Sequence, residues 1–283
     1  MKRLLILSVF ILLLAGCGSG SVDSDASVVY ASFYPIADFA AKIAGDTAGI
    51  RCLVPAGTEP HDWEPAPRDI AGLEQARLFF FATGGFEHWV PEVLPGIQNK
   101  NLKAVETGAG IDAIPDDPHF WLSPAAAKIA LGNLHAAFVE QYPENRAVYD
   151  ENLVKWSGEL DKLDEEYRAA IAALPGREIV VAHAAFGYLC RDYGLSQVAA
   201  RGFSPEQEPD PARMAEVIAH CRRNGTRIIF FESAASPRVA EAIARETGAE
   251  TAVLSPLEMP DEAGSDYFAQ MRANLEQLAR ALA

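Results

Sequence analysis

Residues Pro143 to Leu174 read PENRAVYDENLVKWSGELDKLDEEYRAAIAAL, and their reading decides the fold. Between Asn145 and Leu174 no residue is proline and the one glycine is Gly158. Tyr149, Leu153, Trp156, Leu160, Leu163, Tyr167, Ile171 and Leu174 recur at gaps of three and four, which puts one apolar stripe on a helix. Pro143 suits a first helical turn, and Pro175-Gly176 stops the helix. About 30 residues at 1.5 Å each span roughly 45 Å, more than the width of a small domain. Such a helix is a coiled-coil partner, one member of a bundle, or a spine joining two lobes, and the flanking sequence must decide.

Both flanks alternate short β-rich runs with helical patterns. Before the long helix, strands are predicted at Val28–Ser32, Ile50–Val54, Arg77–Ala82 and Leu102–Val105. Helices are predicted at Ile36–Ala44, Asp69–Gln75, Glu87–Leu94 and Pro124–Gln141. After it, strands are predicted at Glu178–Ala182, Ser196–Ala200, Arg227–Phe231 and Thr251–Leu254. Helices are predicted at Ala185–Tyr193, Pro211–Arg223, Pro237–Thr247 and Ser265–Leu282. Four βα units on each side predict an α/β protein of two lobes, each a mostly parallel four-stranded sheet flanked by helices, joined by one long backbone helix. The expected boundaries are 28–142 for the first lobe, 143–174 for the linking helix and 175–283 for the second.

Ahead of this pattern, MKRLLILSVFILLLAGC (1–17) has the basic start and short apolar core of a signal peptide, too short to span a bilayer comfortably. Its end, Leu14-Ala15-Gly16-Cys17, resembles a bacterial lipobox with Cys17 as the lipidated residue, and residues 18–27 form a small, polar tether. The expected product is extracytoplasmic, in the periplasm or on the outer face of the cell membrane, and anchored by lipid alone. The chain has 283 residues and a formal net charge of −15, which becomes −17 once Lys2 and Arg3 are removed. That balance disfavours nucleic acid and anionic lipid and favours cations. Cys17, Cys52, Cys190 and Cys221 form no CxxC pair, which argues against thiolate zinc or thioredoxin-like chemistry. Cys190 and Cys221 are a candidate disulfide pair, and Cys52 reads as a small buried side chain in a strand.

In open α/β sheets, ligands bind beyond the carboxyl ends of the strands. His61, His119 and His183 all stand there, as do Glu232 and Glu258. Three imidazoles and a carboxylate in one cleft are metal-ligand chemistry. His61 in GTEPHDWEP and His119 in DDPHFWLSP lie in proline-stiffened loops that hold a ligand at little entropic cost. His183 is expected to open a helix, whose positive dipole end favours the neutral, coordinating ring. Glu258 would supply charge. Glu232 is read either as a fourth ligand or as a group behind the ligands, and Asp62 as a group that orients an imidazole. Trp63, Phe120, Trp121 and Phe186 are expected to wall the cleft. His88 stands near the same edge, whereas His135 and His220 lie inside helices.

The stretches LVPAGTEPHDWEPAPRDI, GGFEHWV, DPHFWLSP, AHAAFGYLCRDYGL and SPRVAEAIARETGA carry a resemblance over nearly all of the chain after residue 27. It resembles the cluster A-I substrate-binding lipoproteins of zinc and manganese ABC importers, on the zinc-uptake branch. The resemblance implies metal held between two lobes by His61, His119, His183 and Glu258, and a permease with its ATPase as partners. With the acidic charge and the lipobox, the expected molecule is a monomer that touches the membrane only through its lipid and binds no nucleic acid. Two departures stand out. Relatives often carry Asp where this chain has Ser123, which alters a contact near His119. The histidine-rich loop of many zinc members is replaced by the short segment Gly108–Asp117, which has no histidine.

Three nitrogens and one carboxylate suit tetrahedral Zn²⁺ better than Mn²⁺ or Fe²⁺. The competing readings are the same kind of protein serving Mn²⁺ or Fe²⁺, a zinc hydrolase with Glu258 or Glu232 as base, and a cell-adhesion role at the surface. Against the hydrolase, the chain has no HExxH and no GxSxG.

Overall fold

The computed structural model describes residues 28–205, 209–232, 236–261 and 263–283. The expected signal peptide, Cys17 and tether lie outside the described residues. Among the described residues, eight strands form two parallel sheets. The first contains β1 (Val29–Ala31), β2 (Ile50–Cys52), β3 (Leu78–Phe81) and β4 (Lys103–Glu106) in the order β2-β1-β3-β4. The second contains β5 (Glu178–Val181), β6 (Ser196–Ala199), β7 (Ile228–Phe231) and β8 (Glu250–Val253) in the order β6-β5-β7-β8. In each sheet the first strand is internal, and the chain winds first to one side of it and then to the other. This is the topology that opens a crevice at the carboxyl ends of the strands.

The helices of the first half are α1 (Tyr34–Ala44), α2 (Pro67–Leu73), α3 (Val90–Val93) and α4 (Pro124–Gln141). The long helix is α5 (Arg146–Ala172), entered through a 3-10 turn at Pro143–Asn145. The second half adds α6 (Gly187–Tyr193), α7 (Pro211–Asn224), α8 (Arg238–Thr247) and α9 (Tyr267–Leu282). Among the described residues no helix is long and apolar enough to cross a membrane.

Helix α5 buries Tyr149, Leu160, Leu163, Tyr167 and Ile171, and packs Leu153 and Trp156 partly buried against the same core, where Leu174 joins them just past the helix end. Full burial of a leucine such as Leu163 contributes roughly 2 kcal/mol. The early part of the stripe meets the first half, with the Tyr149 ring 5.2 Å from Phe138. The late part meets the second, where the Tyr167 hydroxyl donates to the Met271 carbonyl at 2.6 Å. One continuous core therefore runs from the first sheet, through α1, α4, α5 and α9, to the second sheet. Each sheet also has a smaller core on its outer face. Along β3, Leu78 and Phe80 point to the shared core while Phe79 and Phe81 point outward, as strand alternation requires.

The cysteine expectations do not survive. Cys190 and Cys221 are both free thiols, because Cys190 belongs to the shared core and Cys221 to the outer core beneath α7 and α8, on the other face of the sheet. Cys52 is exposed, because β2 is a short edge strand.

Candidate metal centre

Every strand of the first sheet except its centre pair hands a ligand-type side chain to the crevice. His61 lies in the loop after β2 and His119 in the loop after β4. The loops after β1 and β3 supply aromatic walls instead, Phe33 and Phe86. From the second sheet come His183 after β5, Glu232 after β7 and Glu258 after β8.

His61, His119, His183 and Glu258 each present one ligand atom to a common centre, and those atoms all lie within 4.8 Å of one another. The Glu258 Oε1 atom is 3.2 Å from His61 Nε2, 3.1 Å from His119 Nε2 and 3.8 Å from His183 Nε2. The Nε2 atoms of His61 and His119 are 3.3 Å apart. A tetrahedral Zn²⁺ with bonds near 2.0–2.1 Å needs ligand atoms about 3.3 Å apart. The donor set fits such an ion in its chemistry, and the separations among Glu258, His61 and His119 match the spacing, while His183 Nε2 stands somewhat further off. The Nε2 atom of His183 is buried and has no hydrogen-bond partner, so a ring nitrogen able to coordinate a metal is left facing its neighbours.

The far nitrogens are braced. His119 Nδ1 is 2.8 Å from Asp117 Oδ1, which also accepts from the His119 backbone N–H at 3.0 Å. His183 Nδ1 is 2.5 Å from Glu232 Oε1. Such carboxylates fix the tautomer and point Nε2 at the centre. Burial works against charge on both His119 and Glu258, yet their mutual contact overcomes it. Hydrogen bonds that the His119 ring donates to Asp117 and Glu258 carry its pKa up to about 9, and the imidazoles hold the Glu258 carboxyl well below the usual carboxylate range.

Several expectations are corrected here. His183 does not open a helix: α6 begins at Gly187, and the Ala184 N–H donates to the Gly202 carbonyl instead. Its orientation comes from Glu232, which holds the ring's Nδ1 and not its Nε2. Asp62 is exposed and touches no ring of the site; Asp117 fills that role for His119. His88 is half-exposed, 4.0 Å from Glu64 and outside the cluster. Ser123 contacts Asp192 rather than His119, and caps α4 by accepting from Ala126 N–H at 3.1 Å.

Of the expected wall residues, Trp121 stands with its ring 5.2 Å from His119, Phe120 packs on Trp121, and Phe186 is buried in the shared core. Trp63 packs on Trp89 at 5.6 Å. Phe86, 4.7 Å from the His61 ring, was not singled out from sequence. A cavity of about 600 Å³ reaches Glu258 and Glu232 from outside, between the Gly57–Glu59 loop and α9.

The family model for ZnuA, the periplasmic zinc-uptake complex component A, matches residues 29–281. The chain belongs to this family. It is 34% identical over 308 residues to the high-affinity zinc uptake system protein ZnuA of Bacillus subtilis strain 168, covering 99% of this chain and 97% of that one. Among solved structures it superposes on the Zn(II)-bound ZnuA-like domain of Streptococcus pneumoniae AdcA with a TM-score of 0.82. The two are 34% identical, with 90% of this chain and 98% of that one covered. The laminin-binding protein Lmb of Streptococcus agalactiae, described as a bifunctional adhesin and metal transporter, matches with a TM-score of 0.85 at 30% identity, over 91% of this chain and 100% of that one. The chain is thus a zinc-binding, solute-binding protein of the ZnuA and AdcA type. This family serves transport rather than catalysis, which removes the hydrolase reading.

Proposed function

We propose that the protein captures extracytoplasmic Zn²⁺ between its two lobes, with His61, His119, His183 and Glu258 as ligands, and delivers it to the permease of an ATP-driven importer. The convergence of those four donor atoms within 4.8 Å, with His183 Nε2 buried and otherwise unpartnered, carries this reading. The zinc-uptake family and its zinc-binding relatives support the choice of metal and the transport complex as partner. Three nitrogens and one oxygen favour Zn²⁺ over Mn²⁺ or Fe²⁺. The lipobox-like Leu14-Ala15-Gly16-Cys17 supports anchoring at Cys17, with a monomeric body working at the membrane surface. The adhesin reading draws on laminin-binding relatives at 30% identity and on no residue of this chain.

Competitive titration of metal-free protein with Zn²⁺ and Mn²⁺ tests the reading. One tight Zn²⁺ per chain that excess Mn²⁺ does not displace is expected, with affinity falling as acid protonates the imidazoles. Equal affinity for the two ions would sink the zinc assignment.

A further inference from the structure

Asn274 occupies a place where the helical pattern asks for an apolar residue. The buried face of α9 runs Tyr267, Met271, Asn274, Leu278 and Leu282, at gaps of three and four. Asn274 interrupts it and is 3% exposed. A buried amide costs stability unless both ends are paired. Here both ends go to one residue: the Ser255 N–H donates to Asn274 Oδ1 at 2.8 Å, and Asn274 Nδ2 donates to the Ser255 carbonyl at 2.6 Å.

Ser255 begins the segment that ends at Glu258. The Leu257 N–H donates to Ser255 Oγ at 3.1 Å, and Trp121 Nε1 donates to the Pro256 carbonyl at 2.7 Å. Leu257 is fully buried and held at φ 56°, in the left-handed region that a bulky residue does not choose on its own. The segment is thus forced into an unfavourable turn immediately before the carboxylate, with its backbone gripped at consecutive residues. Asn274 is the grip that comes from outside the loop and from the second half's own framework.

We propose that Asn274 is a positioning residue for zinc binding: its two-point hold on Ser255 sets the backbone turn at Leu257 that aims Glu258 at the three imidazoles. This rests on the reading of Glu258 as a ligand. It accounts for a polar residue in a core stripe, and it places a determinant of metal affinity on a helix that supplies no ligand.

The test compares Asn274→Ala, Asn274→Asp, Glu258→Gln and the Asn274→Ala/Glu258→Gln pair, each titrated with Zn²⁺ against a chromogenic chelator. Asn274→Asp keeps the acceptor for Ser255 N–H but turns an oxygen toward the Ser255 carbonyl, and it serves if the alanine variant folds poorly. Each Asn274 variant is expected to bind Zn²⁺ about tenfold more weakly, through faster release. The pair is expected to bind no more weakly than Glu258→Gln alone, because the hold has nothing left to aim. X-ray absorption of the zinc-loaded Asn274→Ala protein should show a weakened oxygen contribution beside intact imidazoles, which a merely structural role would not produce. Zinc affinity within twofold of the parent in both variants, or losses that add to that of Glu258→Gln, would overturn the proposal. If Glu258→Gln itself binds zinc as the parent does, the ligand reading fails and the proposal falls with it.

Discussion

The three histidines sit in two different settings. His119 and His183 are fully buried, and each has a carboxylate against its far nitrogen. His61 keeps about a tenth of its side chain exposed, and among the described residues no carboxylate braces its Nδ1. Its loop is held by the His61 N–H donating to Glu59 Oε1 at 2.9 Å, and its ring rests on Phe86. The contrast is between a buried, braced part of the site and a cap that covers it from the surface. A ligand lost from the braced part leaves a buried hole that water fills poorly, whereas water replaces His61 readily. Structural Zn²⁺ sites bind with up to ~16 kcal/mol, or about 4 kcal/mol per ligand. His119→Ala is therefore expected to weaken zinc by nearly a thousandfold, and His61→Ala by about a hundredfold. Chelator competition checks both, and equal losses would erase the distinction between pocket and cap.

Beneath the cap lies a second asymmetry. Glu87 follows Phe86, is fully buried, and accepts from Ser32 Oγ, from Ala82 N–H at 2.8 Å and from Thr83 N–H at 3.1 Å. Burial outweighs these three bonds and pushes its pKa up to about 7. Its folded pKa thus lies above its ordinary value. Between pH 4.5 and 7 the folded protein holds more proton than the unfolded chain, and stability falls as pH rises through that window. The loss is complete above pH 7 and amounts to about 3 kcal/mol. Acid should therefore firm the floor under His61 while weakening the zinc above it. Glu87→Gln removes the titration but gives up the Thr83 bond, at about 1 kcal/mol. In urea unfolding of the metal-free protein, the variant should be the less stable at pH 4 and the more stable at pH 8. A parent–variant difference that stays constant across that range would show that burial does not tax this carboxyl.

What the sequence made legible follows from periodicity and what it hid follows from direction. Parallel strands and the long helix leave a repeating apolar pattern, so their order, and the histidines at strand ends, could be read from the chain. Which neighbouring carboxylate serves a histidine could not. Asp62 and Asp117 stand one and two residues from His61 and His119 in equally acidic loops. The chain turns at Asp116, with φ 64°, and brings Asp117 back under the His119 ring, while Asp62 faces solvent. Glu232 and His183 are 49 residues apart, and only the β5–β7 pairing brings them together. The candidate disulfide failed for a related reason: nothing in the spacing of Cys190 and Cys221 reveals that a sheet lies between them.

The brace on His119 has a support of its own, and it can be broken without touching any ligand. A Cβ at Gly187 would stand 2.1 Å from Asp117 Oδ2 and 3.3 Å from its Cγ. Asp117 cannot swing away freely, because its other oxygen serves both the ring and the backbone of His119. Gly187 is the first residue of α6 and its φ is not positive, so alanine suits the backbone there and only the carboxylate must yield. Gly187→Ala should therefore destabilise the metal-free protein by about 1–3 kcal/mol, as a buried hydrogen-bonded pair is disturbed, and weaken zinc about tenfold, the lower end of what loss of an orienting partner costs. Asp117→Ala removes both the brace and the clash. In that background Gly187→Ala should cost nothing further. If instead the two losses add, the glycine is shaping the site by some route other than Asp117, and the braced half of the site is less rigid than its hydrogen bonds imply.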